Sequence, residues 1–145
     1  MHIAHYGLAI CLISLSAAAL ADSPHIAFRT PSGNIHCIGD RHWPQEGRSW
    51  AGVECQISEH SAPAPRPRPR DCELDWGSNF SLSRSGQTEM GCVGDSIAES
   101  NSRILHYGQT IRGQGWQCTS RQSGLSCRNS SGHGFELSRR QHRLF

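Results

Sequence analysis

The sequence predicts an all-β protein, a small antiparallel sandwich or barrel that is built from hairpins and stapled by three disulfides. Three observations support this class. Strand-like runs are interrupted by Ser-Gly turns, helix signals are almost missing, and six cysteines remain after an N-terminal leader is set aside. Short strands with regular turn signals are typical of sandwiches and barrels, and disulfides support the modest core of a short chain.

The first residues resemble a secretory signal peptide. Residues 6–21, "YGLAICLISLSAAALA", are apolar and end in Ala19-Leu20-Ala21, the small-x-small pattern that precedes a cleavage site. The run is short and rich in small residues, which argues against a membrane span. We therefore assign residues 1–21 to a signal peptide and residues 22–145 to a single secreted β domain. The expected location is periplasmic or extracellular, with no membrane insertion after cleavage.

A repeated pattern predicts three β-hairpins. Each copy has a strand, a Ser-Gly turn and a second strand, and the glycine supplies the positive φ of a tight turn. The copies are "FRTPSGNIHCIGD" (28–40), "FSLSRSGQTEMGCVGD" (80–95) and "WQCTSRQSGLSCRN" (116–129). A final strand in "GFELSRR" is expected to pair back onto them. The best helix candidate, "DSIAES" (95–100), is one or two turns at most.

The cysteines of an exported chain predict disulfides rather than a metal site. No two of them form a C-x-x-C pair, so we expect no metal. In the third hairpin, a loop from Arg121 to Gly124 places Ser120 opposite Leu125, and Cys118 then faces Cys127 at a distance that a disulfide spans. We predict sequential pairing throughout: Cys37–Cys55, Cys72–Cys92 and Cys118–Cys127.

Residues 61–71, "SAPAPRPRPRD", form a proline-rich segment. Alternating proline favours an extended polyproline-like rod without internal hydrogen bonds. We interpret it as a stiff connector between the first disulfide loop and the second. The alternative is a ligand for a proline-recognising groove or for an anionic surface.

The charge is mild, with a formal net value of +2. All fourteen basic residues are arginine, and arginine forms planar, bidentate contacts with carboxylate and phosphate, so an anionic partner stays open. Twelve acidic residues lie interspersed among the arginines and argue against nucleic acid.

No recognisable catalytic motif is present. The chain has no G-x-S-x-G elbow and no H-E-x-x-H, and its histidines are scattered singly, so we expect a non-enzymatic protein without a cofactor. His133, between Gly132 and Gly134, is interpreted as a turn residue whose ring bonds to a carboxylate such as Asp95 or Asp75. The alternative is a catalytic imidazole.

Four residues are the candidates for ligand contact. Trp43 and Trp50 bracket the polar loop "WPQEGRSW" and would stack on a sugar ring if they are exposed, whereas Trp76 and Trp116 are expected in the core. His133 and Arg139, in the C-terminal stretch, complete the set.

Five motifs appear in a characteristic order: "FRTPSGNIHC", "CELDWG", "CVGD", "LHYGQ" and "GHGFELSR". Together they resemble an uncharacterised family of small secreted bacterial proteins, and the resemblance covers 28–145. It implies a signal peptide, paired cysteines and a proline-containing stretch, but no catalytic residues. We expect an exported module of unknown ligand, with an envelope glycan or protein as candidate partner. The alternatives are an inhibitor of a secreted hydrolase and, less favoured, a small hydrolase that uses His133.

Overall fold

A computed structural model describes residues 26–145, so the predicted signal peptide lies outside the described residues. The chain forms two β-sheets. In order, the strands are β1 (Ile26–Arg29), β2 (Ile35–Trp43), β3 (Arg48–Ile57), β4 (Asp75–Ser83), β5 (Glu89–Val93), β6 (Arg103–Ile104), β7 (Thr110–Gly113), β8 (Trp116–Arg121), β9 (Gly124–Asn129), β10 (Gly134–Leu137) and β11 (His142–Leu144). A short 3₁₀ turn spans Pro44–Glu46.

The first sheet has six strands in the order β5-β4-β3-β2-β1-β6, and the second has five in the order β11-β10-β9-β8-β7. Neighbouring strands run antiparallel except β1 and β6, which are parallel. The all-β, hairpin-built sandwich predicted from the sequence is therefore confirmed. Within residues 26–145 no helix is long and apolar enough to cross a membrane.

The three predicted hairpins are β1–β2, β4–β5 and β8–β9. The β2–β3 hairpin was not predicted, because its turn contains the polar residues 44–47 rather than a Ser-Gly pair. The helix candidate at residues 95–100 was wrong, since this segment is not helical. Its backbone bonds to a neighbouring strand instead: Gln56 donates to the Asp95 carbonyl at 3.0 Å and accepts from the Ile97 amide at 3.1 Å.

The core lies between the two sheets and is rich in aromatic rings. Phe28 of the first sheet stacks on Trp116 of the second, with ring centroids 6.3 Å apart, and Phe80 packs against Phe135 at 5.9 Å. All four side chains are at most 3% exposed. Burial of such large apolar surfaces supplies much of the stability of a small domain.

The predicted disulfide pairing is confirmed for all three bonds. Cys37–Cys55 and Cys118–Cys127 join directly opposed residues of adjacent strands, each with a Cα separation of 4.1 Å. Cys72–Cys92 ties the segment before β4 to β5. Closures of this size are worth roughly 3 kcal/mol each in the chain-entropy model. Three disulfides in one domain are typical of an oxidising compartment.

Gly39 and Asp40 attach the first sheet to the second. Gly39 lies so close to the Trp116 indole that a Cβ there would be 2.3 Å from the ring. Asp40 follows at a β-bulge with φ +50°, and its carboxylate accepts from Trp116 Nε1 at 2.8 Å and from the Gln114 amide at 2.8 Å. A non-glycine residue rarely adopts this φ, and here the inter-sheet hydrogen bonds hold it.

The proline-rich residues 61–71 contain no strand and pack against the sandwich. The amides of Ser61 and Ala62 donate to the Arg139 carbonyl at 2.7 and 3.1 Å. Further along, Trp76 Nε1 donates to the Arg66 carbonyl at 3.0 Å. The segment therefore contacts both sheets, and its role as a connector remains an interpretation.

The two outer faces of the sandwich differ. Residues 94–102 run along the outer face of the first sheet, where they bond to Gln56 and, at Ser102, to Arg29. On the second sheet, outward-facing side chains line an open cavity instead. The outer face of the second sheet is thus open over this cavity.

Candidate functional site

The outward-facing side chains of the second sheet form two rows that cross its strands, because alternate residues of a strand point to the same side. One row contains Arg112 of β7, Gln117 of β8 and Arg128 of β9. The next row is richer in hydroxyl groups and contains Thr110, Thr119, Ser126, Glu136 and Arg143. We call these two rows, together with Arg121 at the end of β8, the arginine face.

A cavity of about 560 Å³ lies over this face. Its lining is mostly polar and consists of Gln117, Thr119, Arg121, Ser123, Gly124, Leu125, Ser126, Arg128, Glu136, Leu137, Ser138, Gln141 and Arg143. A lining of guanidinium, hydroxyl and amide groups suits a ligand that is itself charged and hydroxylated.

The single acidic side chain of the arginine face is already neutralised. Arg143 donates to Glu136 through Nε at 2.9 Å and through Nη2 at 2.7 Å. This bidentate contact lowers the pKa of Glu136 below its ordinary value, so the pair carries no net charge at neutral pH. The other arginines of the face form no ion pair with any residue between 26 and 145; they are Arg112, Arg121 and Arg128.

These three arginines are widely spaced. Adjacent strands are separated by about 4.8 Å, so Arg112 and Arg128, two strands apart in one row, lie about 10 Å from each other along the sheet. Arg121 is four positions beyond Gln117 on β8, which corresponds to about 13 Å along the strand. The face therefore presents separated positive charges with hydrogen-bonding groups between them.

A second cavity of about 380 Å³ lies at the end of the sandwich, beyond the β8–β9 turn; we call it the end groove. Tyr107 and Arg140 line it. The end groove also shares lining residues with the cavity over the arginine face, namely Arg121, Ser123, Gly124 and Ser138. The two cavities are thus adjacent and meet at the β8–β9 turn.

The predicted candidates Trp43 and Trp50 lie elsewhere, on the β2–β3 hairpin. Both are half-buried. The guanidinium of Arg48 covers the Trp43 ring at 4.9 Å from its centroid, and Trp50 donates through Nε1 to the Ser83 hydroxyl at 3.1 Å. Neither tryptophan lines the two cavities described above.

His133 lies in the turn before β10. Its amide donates to the side-chain oxygen of Asn129 at 3.1 Å, and its carbonyl accepts from the Asn129 amide at 2.9 Å. The predicted ring bond to Asp95 or Asp75 is absent from the described part of the chain. The adjacent glycines carry the turn: Gly132 has φ +82°, and Gly134 packs against the backbone of Cys127.

Arg139, the fourth predicted candidate, lines the end groove. Its guanidinium pairs with Glu59 at 3.2 Å, while its carbonyl accepts the amides of Ser61 and Ala62. The structure thus brings one of the four candidates to a cavity and leaves the other three apart from it. Sequence analysis missed the arginines of the arginine face. One signal was available on β8, where Gln117, Thr119 and Arg121 are alternate residues and therefore share one face of the strand.

The chain belongs to a family of unknown function, DUF6636, whose model matches residues 7–145. The resemblance to an uncharacterised family is therefore confirmed over nearly the whole sequence. No curated protein and no solved structure matches the chain. The family description assigns no activity, so the geometry of the arginine face is the basis for a functional hypothesis.

Proposed function

We propose that the protein is an exported, non-enzymatic binding module that holds an acidic glycan on its arginine face, in the periplasm or outside the cell. One observation carries the proposal: Arg112, Arg121 and Arg128 form no ion pair with described residues and share one face of the sheet with hydroxyl and amide side chains, and Arg121 and Arg128 also line the cavity over it. Arginine forms bidentate contacts with carboxylates, and the neutral groups between the arginines suit the hydroxyls of a sugar.

The spacing of the arginines favours a glycan over a nucleic acid. Each strand of a nucleic-acid duplex carries a phosphate about every 3.4 Å along the helix axis, whereas the arginines of this face are separated by about 10 Å or more. The two rows also contain no aromatic side chain on which an unpaired base would stack. A polymer with carboxylates spaced among many hydroxyls matches the face better.

Export is supported by the covalent framework. Two of the three disulfides have both cysteines at most 1% exposed, so they form part of the core. Such bonds persist in oxidising environments and are rare where thiols are kept reduced. This is the observation that favours a periplasmic or extracellular destination.

The chemistry of the face favours binding over catalysis. No histidine lines the cavity over it, and the one lining carboxylate, Glu136, is held in its charged form by Arg143. General acid–base catalysis at neutral pH needs a group whose pKa lies near neutrality. The ring of His133, the residue of the hydrolase alternative, has no hydrogen bond to a carboxylate of the described chain.

Titration of ¹⁵N-labelled protein with trigalacturonate, followed by NMR, tests the proposal. We expect shifts in the amides of β8 and β9, and little response to the fully methyl-esterified trimer, which keeps the sugar backbone but has no charge. Arg128→Gln is expected to weaken binding by about tenfold, the loss of one charge-assisted contact. Arg103→Gln, at an exposed arginine of the first sheet, is the matched control and is expected to bind as the wild type does.

Equal binding of the charged and esterified trimers would contradict the proposal, as would an Arg128→Gln variant with unchanged affinity. Tighter binding of a single-stranded oligonucleotide than of trigalacturonate would assign the face to nucleic acid instead.

The inhibitor alternative is favoured by one further observation, the projecting tip of the β2–β3 hairpin. The Ala51 carbonyl still accepts from the Arg84 amide at 3.0 Å, but beyond Gly39 and Ala51 the backbones of the two strands pair only with each other, through Arg41–Trp50, His42–Ser49 and Trp43–Arg48. A rigid exposed loop of this kind is a common way to fill an enzyme cleft. Assays of secreted hydrolases with the wild type and with Trp43→Ala test this alternative, which requires inhibition by the first and not by the second.

A further inference from the structure

Tyr107 occupies an unusual position at the end of the sandwich. Its side chain is 49% exposed and lines the end groove. Large aromatic side chains are normally covered in a small domain, and Phe145 is the one other aromatic residue between 26 and 145 that is classed as exposed, at 37%. An exposed ring inside a cavity is a surface on which a planar or ring-shaped ligand group stacks.

The turn that carries Tyr107 is fixed to the second sheet. Gly108 donates to the Ser120 carbonyl at 2.7 Å, and the Ser120 amide donates to the Gln109 carbonyl at 3.0 Å. Within the turn, the Gln109 side chain accepts from the His106 amide at 2.9 Å. The backbone that carries the ring is thus held in place, so little backbone entropy is lost when a ligand contacts Tyr107.

Positive charge surrounds the ring. Arg121 and Arg140 line the same groove, and neither forms an ion pair with a residue of the described chain. Arg139, also in the lining, is paired with Glu59 and contributes less. The end groove therefore combines one aromatic platform with two free guanidinium groups.

The end groove adjoins the cavity over the arginine face. Arg121 and the β8–β9 turn residues Ser123 and Gly124 belong to both linings. A ligand chain that lies across the arginine face and extends past Arg121 therefore comes next to the groove that Tyr107 lines.

We propose that the end groove is a second subsite for the same acidic glycan, in which Tyr107 stacks on a sugar ring while Arg121 and Arg140 bind its carboxylate. This inference rests on the proposed function of the arginine face and adds that the ligand is an oligomer long enough to occupy both cavities. When one ligand chain occupies two linked subsites, binding at the second subsite is intramolecular and strengthens the overall affinity. The affinity is therefore expected to rise with chain length until both subsites are filled.

Calorimetric titration with galacturonate trimers and hexamers tests the subsite. We expect the wild type to bind the hexamer at least about tenfold more tightly than the trimer. Tyr107→Ala and Arg140→Gln are expected to remove this gain and to leave trimer binding unchanged, whereas Tyr107→Phe keeps the ring and keeps the gain. Ile104→Ala, at an exposed apolar residue outside both cavities, is the control for a general effect of surface truncation.

The outcomes separate the two proposals. If trimer and hexamer bind the wild type equally, or if Tyr107→Ala retains the length-dependent gain, the second subsite is refuted while the arginine face stands. If Tyr107→Ala weakens trimer and hexamer alike with an unchanged melting temperature, Tyr107 belongs to a single site and the subsite is again refuted. If the wild type binds neither oligomer, both proposals fail.

Discussion

Lowering the pH from about 7 to about 5 is expected to destabilise the fold by about 2 kcal/mol through His142 alone. This residue of β11 is 7% exposed, and the edge of its ring meets the ring of Phe80 at a centroid distance of 5.1 Å. A second imidazole, His60, lies 4.6 Å away between ring centroids. Neither ring nitrogen of His142 has a well-aligned hydrogen bond to a residue of the described chain.

The magnitude follows from the pKa of the buried ring. Burial, and then the neighbouring charge of His60, lower the pKa of His142 from 6.5 to about 4, although the backbone of Gly77 and Ser138 opposes the change. Between these two values the unfolded chain binds a proton that the folded chain does not. The stabilisation is therefore fully present above about pH 6.5 and is lost as the pH falls, reaching about 3 kcal/mol below pH 4.

Denaturant unfolding at both pH values, for the wild type and for His142→Phe, measures this loss. The variant keeps an aromatic ring of similar size but cannot be protonated, so its midpoint is expected to depend less on pH by about 2 kcal/mol. His106→Gln removes an exposed histidine and is the control, with the wild-type pH dependence. The reasoning is refuted if His142→Phe and the wild type lose the same stability on acidification.

Three further predictions concern the turn of His133, the inter-sheet contact and the surface charge. Asn129→Ala is expected to lower the free energy of unfolding by roughly 2–4 kcal/mol, because the buried Asn129 side chain makes four hydrogen bonds, to Ser83, Gly86, Ser131 and His133. His133→Ala is expected to lower it by less than about 1 kcal/mol, and thermal melts of the two variants test the difference. Asp40→Ala is expected to cost roughly 2–3 kcal/mol, because the buried Trp116 indole loses its acceptor, and an unchanged denaturation midpoint would contradict that role. The double variant Arg66→Gln/Arg68→Gln is expected to elute from heparin at the same salt concentration as the wild type, because both guanidinium groups already donate to backbone carbonyls; elution of the variant at lower salt would contradict this.

Local patterns were enough to predict three of the hairpins and the three disulfides. A Ser-Gly turn sets the register of the two strands beside it, so counting outward from the third turn placed Cys118 opposite Cys127, as the structure has it. The pairing of Cys37 with Cys55 has the same cross-strand geometry, although the polar residues between them hid the β2–β3 hairpin.

Features that depend on contacts between distant strands were not predictable in this way. The sequence repeats Cys-aliphatic-Gly-Asp, yet Asp40 accepts the indole of Trp116 from the other sheet, while Asp95 offers its backbone carbonyl to Gln56. The same four-residue pattern therefore has two roles, because only the first copy faces the second sheet. The end groove was not predictable for the same reason, since residues from the β1–β2 hairpin, the β8–β9 hairpin and the segment after β10 line it together.

Sequence analysis chose His133 and the tryptophans as candidate ligand contacts for a reason of the same kind. Both choices rested on the chemistry of single side chains, which is visible in a sequence, whereas the arginine face depends on which residues of five strands share one side of a sheet. Arg112 and Arg128 are sixteen positions apart in the chain and meet in one row only because β8 pairs with both β7 and β9. Row membership requires the register, and the turn that sets the register of β7, Gln114-Gly115, lacks the Ser-Gly pair from which three hairpins were predicted.

The Cys118–Cys127 disulfide connects the stability of the core to the geometry of the arginine face. The bond lies on the inner side of β8 and β9, directly between the outward pairs Gln117–Arg128 and Thr119–Ser126. A slip of one residue between these strands would turn every outward side chain inward, and the covalent bond prevents it. The spacing of the charges is therefore set before a ligand arrives, which reduces the entropy that binding has to overcome. A sheet face whose register is locked in this way suits recognition of an extended chain, whose repeating groups must meet side chains at fixed intervals.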